Sequence, residues 1–198
     1  MPHIAHHAVK LVILGRDGVL NRYREDHVKE PQEWEPLEGA LEAVARLNHA
    51  GWHAVVATNQ AGIGRGLIDM ASLNAVHQAM YRRLAAAGGR LDAVFFCPHS
   101  PEDACHCRKP ASGLFEQIAE RYGMSLQGVP AVGDSLRDAQ AAAALGCAVH
   151  WVRTGKGAQY PAQGVPPEFP LGTVAHPDLS AFVDWLLAQS AARVGAGA

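Results

Sequence analysis

Lys10-Leu-Val-Ile-Leu14-Gly15-Arg16-Asp17-Gly-Val-Leu-Asn21 is the stretch whose reading decides the fold. A short apolar run that stops at a glycine marks a buried strand. The charged and polar residues directly after it then lie beyond the carboxyl end of that strand. The same pattern recurs along the chain. Trp52 to Ala57 is a second apolar strand, stopping at Thr58-Asn59-Gln60. Ala93 to Phe96 is a third, Val129 to Gly133 a fourth and Ala148 to Val152 a fifth.

Between these runs the periodicity is helical. Leu37 to His49 carries Leu41, Val44, Ala45 and Leu47 in a stripe, and Met70 to Ala87 carries Leu73, Val76, Met80 and Leu84. Ser112 to Tyr122, Ser135 to Leu145 and Leu179 to Leu187 complete the helices. Strands alternating with helices predict an α/β fold with a doubly wound parallel sheet. Ligands in such sheets bind beyond the carboxyl ends of the strands. Asp17, Thr58, Asn59 and Asp134 all fall there. Gly155 to about Gly172, rich in Pro and Gly, reads as a loop with little local information.

The stretch after the third strand is Cys97-Pro-His99-Ser-Pro-Glu-Asp-Ala-Cys105-His-Cys107-Arg108-Lys109-Pro110. Cys and His at this density are ligands of tetrahedral zinc, and four ligands with no open position make a structural site. Cys97, His99, Cys105 and Cys107 are the expected set, with His106 pointing away. The loop ends in Arg108 and Lys109, which suit an anionic substrate. Cys147 reads as a small buried hydrophobe.

The chain has 198 residues, 48% of them hydrophobic, which suits one compact domain with a core over about residues 8–190. A formal charge of −2 offers no general attraction to nucleic acid or to a membrane surface. No apolar run reaches the roughly 20 residues a membrane span needs. Clustered thiols fit a reducing cytoplasm better than a disulfide framework. A monomer is expected, because no apolar stripe is left over after the core is assigned. His3, His6 and His7 read as a frayed terminus rather than a metal site, and the tail from Val194 also reads as frayed.

Four segments together resemble the haloacid dehalogenase (HAD) superfamily of phosphohydrolases. They are Gly15-Arg-Asp17-Gly-Val-Leu-Asn21, Thr58-Asn59-Gln60, Arg108-Lys109-Pro110 and Gly133-Asp134-Ser-Leu-Arg-Asp138. With the Cys/His stretch they resemble its small, capless, zinc-containing branch. The resemblance implies a Mg²⁺-dependent phosphatase working through an aspartyl-phosphate. A phosphomonoester dianion repels nucleophiles, so charge neutralisation and positioning dominate such chemistry. By position, Asp17 corresponds to the general acid/base, with its carbonyl on the metal. Thr58 and Asn59 correspond to phosphoryl-binding residues, Lys109 to the stabilising cation and Asp134 to the Mg²⁺ ligand. Asp138 is either a supporting acid or part of a helix first turn. Arg108 is expected to reach substrate. Arg65, in Gly62-Ile-Gly-Arg65-Gly66, is a candidate contact to a distal phosphate or hydroxyl, against a solvated turn that the composition favours.

One position departs from the pattern. The resemblance places the attacking Asp at position 15, and this chain has Gly15. Glycine has no side chain to attack with, and one metal-binding carboxylate goes with it. Losing a covalent nucleophile costs several orders of magnitude in rate. The intact remainder favours a recent or engineered change in a phosphatase scaffold. The expected substrate is a small phosphosugar, D-glycero-D-manno-heptose 1,7-bisphosphate, losing its 7-phosphate. Histidinol phosphate is the competing substrate, and non-catalytic phosphosugar binding the competing function.

Overall fold

The computed structural model describes residues 9–161 and 163–195. Residues 3, 6 and 7 of the histidine-bearing terminus lie outside that range.

Six strands form one sheet: β1 (Leu11–Leu14), β2 (His53–Asn59), β3 (Ala93–Cys97), β4 (Pro130–Gly133), β5 (Ala148–Val152) and β6 (Val174–His176). Their order is β3-β2-β1-β4-β5-β6, and every pairing is parallel. The order reverses direction between β1 and β4, so a crevice opens above their carboxyl ends. The helices are α1 (Ala40–His49), α2 (Ala61–Gly64), α3 (Met70–Ala86), α4 (Gly113–Tyr122), α5 (Leu136–Ala144) and α6 (Leu179–Gly195).

The sheet is covered on both faces, and β1 shows how. Val12 and Leu14 join one apolar cluster with residues of α1, α3 and α6. Leu11 and Ile13 join the other, with residues of α4 and α5. All four are buried, as the unbroken apolar run requires. Full burial of each such side chain stabilises the fold by about 1.5–3 kcal/mol.

The five strands read from sequence all exist. The structure corrects the sequence reading at three places. β6 is a three-residue edge strand just past the Gly/Pro-rich region, formed by pairing with β5 rather than by local propensity. The Gly62–Gly66 segment is not simply a loop: Ala61–Gly64 makes one helical turn. Finally α6 continues to Gly195, so the tail from Val194 begins as helix.

Candidate active site

The cleft of about 120 Å³ sits where β1, β2 and β4 end. Gly15, Asp17, Thr58, Asn59, Arg108, Lys109, Asp134 and Asp138 all line it. Residues from four distant segments therefore meet as the strand pattern predicts.

Asp17 is held from several sides. Its Oδ1 accepts from Arg16 Nη2 at 3.0 Å, Arg16 Nε at 3.3 Å and Asn21 Nδ2 at 3.0 Å. Its Oδ2 accepts from Gln60 Nε2 at 3.0 Å. Oδ1 is thus crowded with donors, and Oδ2 is the oxygen left for a ligand. Burial alone would raise this carboxyl, but the Arg16 charge and the hydrogen bonds from Asn21, Arg16 and Gln60 outweigh it and hold Asp17 below its ordinary value. Gln60 Nε2 also donates to Thr58 Oγ1 at 2.9 Å. The Thr58 oxygen therefore acts as acceptor there, and its own O–H is free to donate elsewhere.

Lys109 is 5% exposed, and its ammonium is fixed by Ala57 O at 2.7 Å and Asp138 Oδ1 at 2.5 Å. Its backbone is clamped as well. Asn59 Oδ1 accepts from Lys109 N, and Asn59 Nδ2 donates to Lys109 O, both at 3.1 Å. Asn59 lines the cleft, yet both ends of its amide hold the Lys109 main chain.

Asp138 combines the two roles left open for it. Its Oδ2 accepts from Ser135 N at 3.0 Å and Ser135 Oγ at 2.7 Å, the capping box of α5, while Oδ1 takes Lys109. Burial raises this carboxyl, and Lys109 more than offsets that. Asp134 goes the other way. Burial first, then the Asp138 carboxylate, push it up to about 8.

Two glycines make room for Asp134. A Cβ on Gly18 (φ +79°) would lie 2.0 Å from Asp134 Oδ2, and one on Gly155 (φ +55°) 2.4 Å from it. Gly15 is different. It is not in the left-handed region, and a Cβ there meets only the Val19 methyl closely, at 2.9 Å. The backbone at position 15 does not require glycine.

Asp134 and the Asp17 carbonyl are hard oxygen donors of the kind Mg²⁺ takes. Asp134 Oδ2 accepts from Lys156 N at 2.8 Å, which leaves Oδ1 to a cation. The donor set fits the ion but lacks the carboxylate that position 15 would add.

The Cys97, His99, Cys105 and Cys107 ligand atoms lie within 4.8 Å of one another. Their closest separations run from 3.2 Å (His99 Nδ1 to Cys107 Sγ) to 3.6 Å (Cys107 Sγ to Cys105 Sγ). A zinc tetrahedron with bonds of about 2.0–2.3 Å has edges of roughly this length. His106 points away and meets Glu116 Oε2 at 2.7 Å. Cys147 is buried and remote from the cluster. Arg108 Nη1 donates to His99 O at 3.3 Å, so the Cys/His loop and the cleft share a wall.

Arg65 is exposed and is not among the cleft-lining residues. One expectation changes here. The segment from Gly155 is not uninformative: a 3₁₀ turn over Gly155–Gln159 puts Lys156 in the cleft, its Nζ 4.8 Å from the Tyr23 ring centroid. Arg137, Tyr23, Arg24 and His27 also line the cleft and were not read from sequence. Arg137 sits at the start of α5, within the Gly133-to-Asp138 stretch, so the motif itself is its sequence signal.

The fold and cleft together define a HAD-type phosphoric monoester hydrolase. A HAD-hydrolase-like family model matches residues 106–176. The D-glycero-β-D-manno-heptose-1,7-bisphosphate 7-phosphatase of Bordetella bronchiseptica is 53% identical over 182 residues, covering 92% of this chain and 100% of that protein. The enzyme of the same description from Pseudomonas aeruginosa is 45% identical, covering 89% and 97%. The chain belongs to this family of HAD-superfamily phosphatases. A solved structure of the B. bronchiseptica D,D-heptose 1,7-bisphosphate phosphatase, complexed with magnesium and phosphate, superposes with a TM-score of 0.87 over 91% of this chain and 99% of that one.

Proposed function

We propose that this chain is a D-glycero-D-manno-heptose 1,7-bisphosphate 7-phosphatase whose attacking carboxylate is missing, so that it binds substrate and turns it over poorly. The observation that carries the reading is the meeting of Gly15, Asp17, Thr58, Lys109 and Asp134 at the crevice between β1 and β4. The names of the relatives supply the sugar.

In the complete reaction a carboxylate oxygen at position 15 attacks phosphorus and the bond to the sugar oxygen breaks. Asp17 Oδ2 gives its proton to that leaving oxygen. In the second step Asp17 Oδ2 takes a proton from water as the water oxygen attacks phosphorus and frees phosphate. The Arg16 charge favours the ionised form of Asp17, which suits this proton-accepting half, and the proton collected from water is the one Asp17 gives to the leaving oxygen of the next turnover. The Thr58 hydroxyl and the Lys109 ammonium hold phosphoryl oxygens. Arg108, Arg137 and Lys156 provide positive charge toward the remainder of an anionic substrate. Asp134 and the Asp17 carbonyl would hold Mg²⁺, which would supply charge neutralisation at the phosphoryl group. Cys97, His99, Cys105 and Cys107 would hold zinc, which would fix the loop that carries Arg108 and Lys109.

With glycine at position 15, only direct attack by water remains in this chain. A specific observation favours a second reading, in which the natural role is phosphosugar binding: Gly15 removes one negative charge from a cleft that receives a dianion. Side-by-side turnover of the heptose bisphosphate and histidinol phosphate by the Gly15→Asp variant tests the substrate. Preference for the heptose bisphosphate is expected. Preference for histidinol phosphate contradicts the sugar assignment, and binding by the unaltered chain with an inert variant supports the second reading.

A further inference from the structure

The residues that hold Asp17 extend one step below the cleft. Arg16 is 1% exposed, and its guanidinium touches two partners. Nε and Nη2 face Asp17 Oδ1, and Nη1 lies 3.2 Å from His77 Nε2. His77 comes from α3, whose buried face is otherwise apolar at Leu73, Val76, Met80 and Leu84. It is 7% exposed and meets Phe96 edge-on at 6.2 Å between ring centroids. An apolar face with one imidazole, placed where a buried guanidinium arrives, calls for a reason beyond packing.

Hydrogen-bond chemistry supplies the reason. Arginine has donors only, so His77 Nε2 must be the acceptor, the ring must be neutral and its proton must sit on Nδ1. Burial, then the Arg16 charge, push His77 down to about 4, which agrees. A leucine at 77 would leave a buried guanidinium N–H without a partner. A planar guanidinium pinned at Nη1 presents its opposite edge, Nε and Nη2, in one fixed plane. That edge sets the rotation of the Asp17 carboxylate.

We propose that His77 is a positioning residue: as a neutral imidazole it fixes Arg16, and through Arg16 it turns Asp17 so that Oδ2 faces the cleft. The inference rests on the proposed function only in giving Asp17 the proton-transfer role.

The test has two arms. The first uses the unaltered chain. Ring ¹⁵N NMR at neutral pH is expected to show an unprotonated Nε2 and a protonated Nδ1 at His77. In His77→Leu, hydrogen exchange at the Arg16 side chain is expected to accelerate, and His77→Gln, which keeps an acceptor oxygen, is expected to restore protection. The second arm places the same substitutions in the Gly15→Asp background. There His77→Leu is expected to lower kcat by about a hundredfold, the scale of a 1 Å misplacement, with little change in KM. His77→Gln is expected to recover most of it, and thermal melts identify variants that fail to fold. An Nε2-protonated ring, unchanged Arg16 exchange, or an active Gly15→Asp parent indifferent to His77→Leu would overturn the proposal. An inert Gly15→Asp parent defeats the nucleophile assignment instead, and the nitrogen signals and exchange rates then decide on His77.

Discussion

Lys109 and Arg108 are neighbours with different surroundings, and that difference sets their cost of removal. Lys109 is buried against Ala57 O and Asp138, whereas Arg108 is half-buried with one long contact to His99 O. Removing one partner of a buried ion pair costs about 3–5 kcal/mol, because the other charge is left without compensation. Lys109→Ala is therefore expected to lose stability on that scale in urea denaturation. Arg108→Ala is expected to stay within about 0.5 kcal/mol, as surface substitutions do. Equal losses would contradict the burial account. At this scale the sequence motifs located Asp17, Thr58, Lys109 and Asp134 in the cleft, because each directly follows a strand or loop that the apolar pattern marks. Gln60, Lys156 and His77 were not legible as site residues. Their parts come from contacts across the fold, and nothing in their local sequence signals such contacts.

The Cys/His loop after β3 is the element on which the cationic wall of the cleft depends. Its buried Cys97 thiol, raised to about 12 chiefly by burial, has its proton displaced when a metal binds. Purified protein is expected to carry a single zinc in elemental analysis, as four closed ligands require. Strong chelation, or Cys105→Ser, is expected to lower the melting temperature and weaken phosphate binding together. Metal-free protein with an unchanged melt would refute the structural role. The four ligands were readable from their density and spacing. β6 was not, since three residues gain strand geometry only by pairing with β5. The full length of α6 was missed for a related reason: its continuation past Leu187 rests on the helix already begun, not on a continued apolar stripe.

The whole molecule carries an acid limit at the β5–β6 edge of the sheet. His150 Nδ1 and His176 Nε2 lie 3.0 Å apart, packed against Phe182 and Trp185 of α6. Burial, then the neighbouring His176, push His150 from 6.5 down to about 4. Burial lowers His176 as well, against the opposing Asp178 charge. Above 6.5 both states are neutral and the pair costs nothing. As the pH falls from 6.5 toward 4, the unfolded chain takes up protons that the native pair refuses, so stability drops through that window. Melts across this range, followed by tryptophan fluorescence, are expected to show the decline, and His150→Phe is expected to reduce it while His77 keeps its own share. A pH-independent melt would contradict it.

The same whole-molecule arrangement, a parallel sheet whose direction reverses between β1 and β4, brings Gly15 to Asp17, Thr58, Lys109 and Asp134. The central claim is that one missing carboxylate separates this chain from an active phosphatase. A side chain at position 15 requires the Val19 methyl, 2.9 Å from the added Cβ, to shift, and the backbone there imposes no demand for glycine. The most direct test is phosphate release from D-glycero-D-manno-heptose 1,7-bisphosphate with Mg²⁺, comparing the unaltered chain with Gly15→Asp. The account predicts turnover by the Asp form that exceeds the unaltered chain by several orders of magnitude. Equal rates, or a folded Asp form as inert as the unaltered chain, would contradict it.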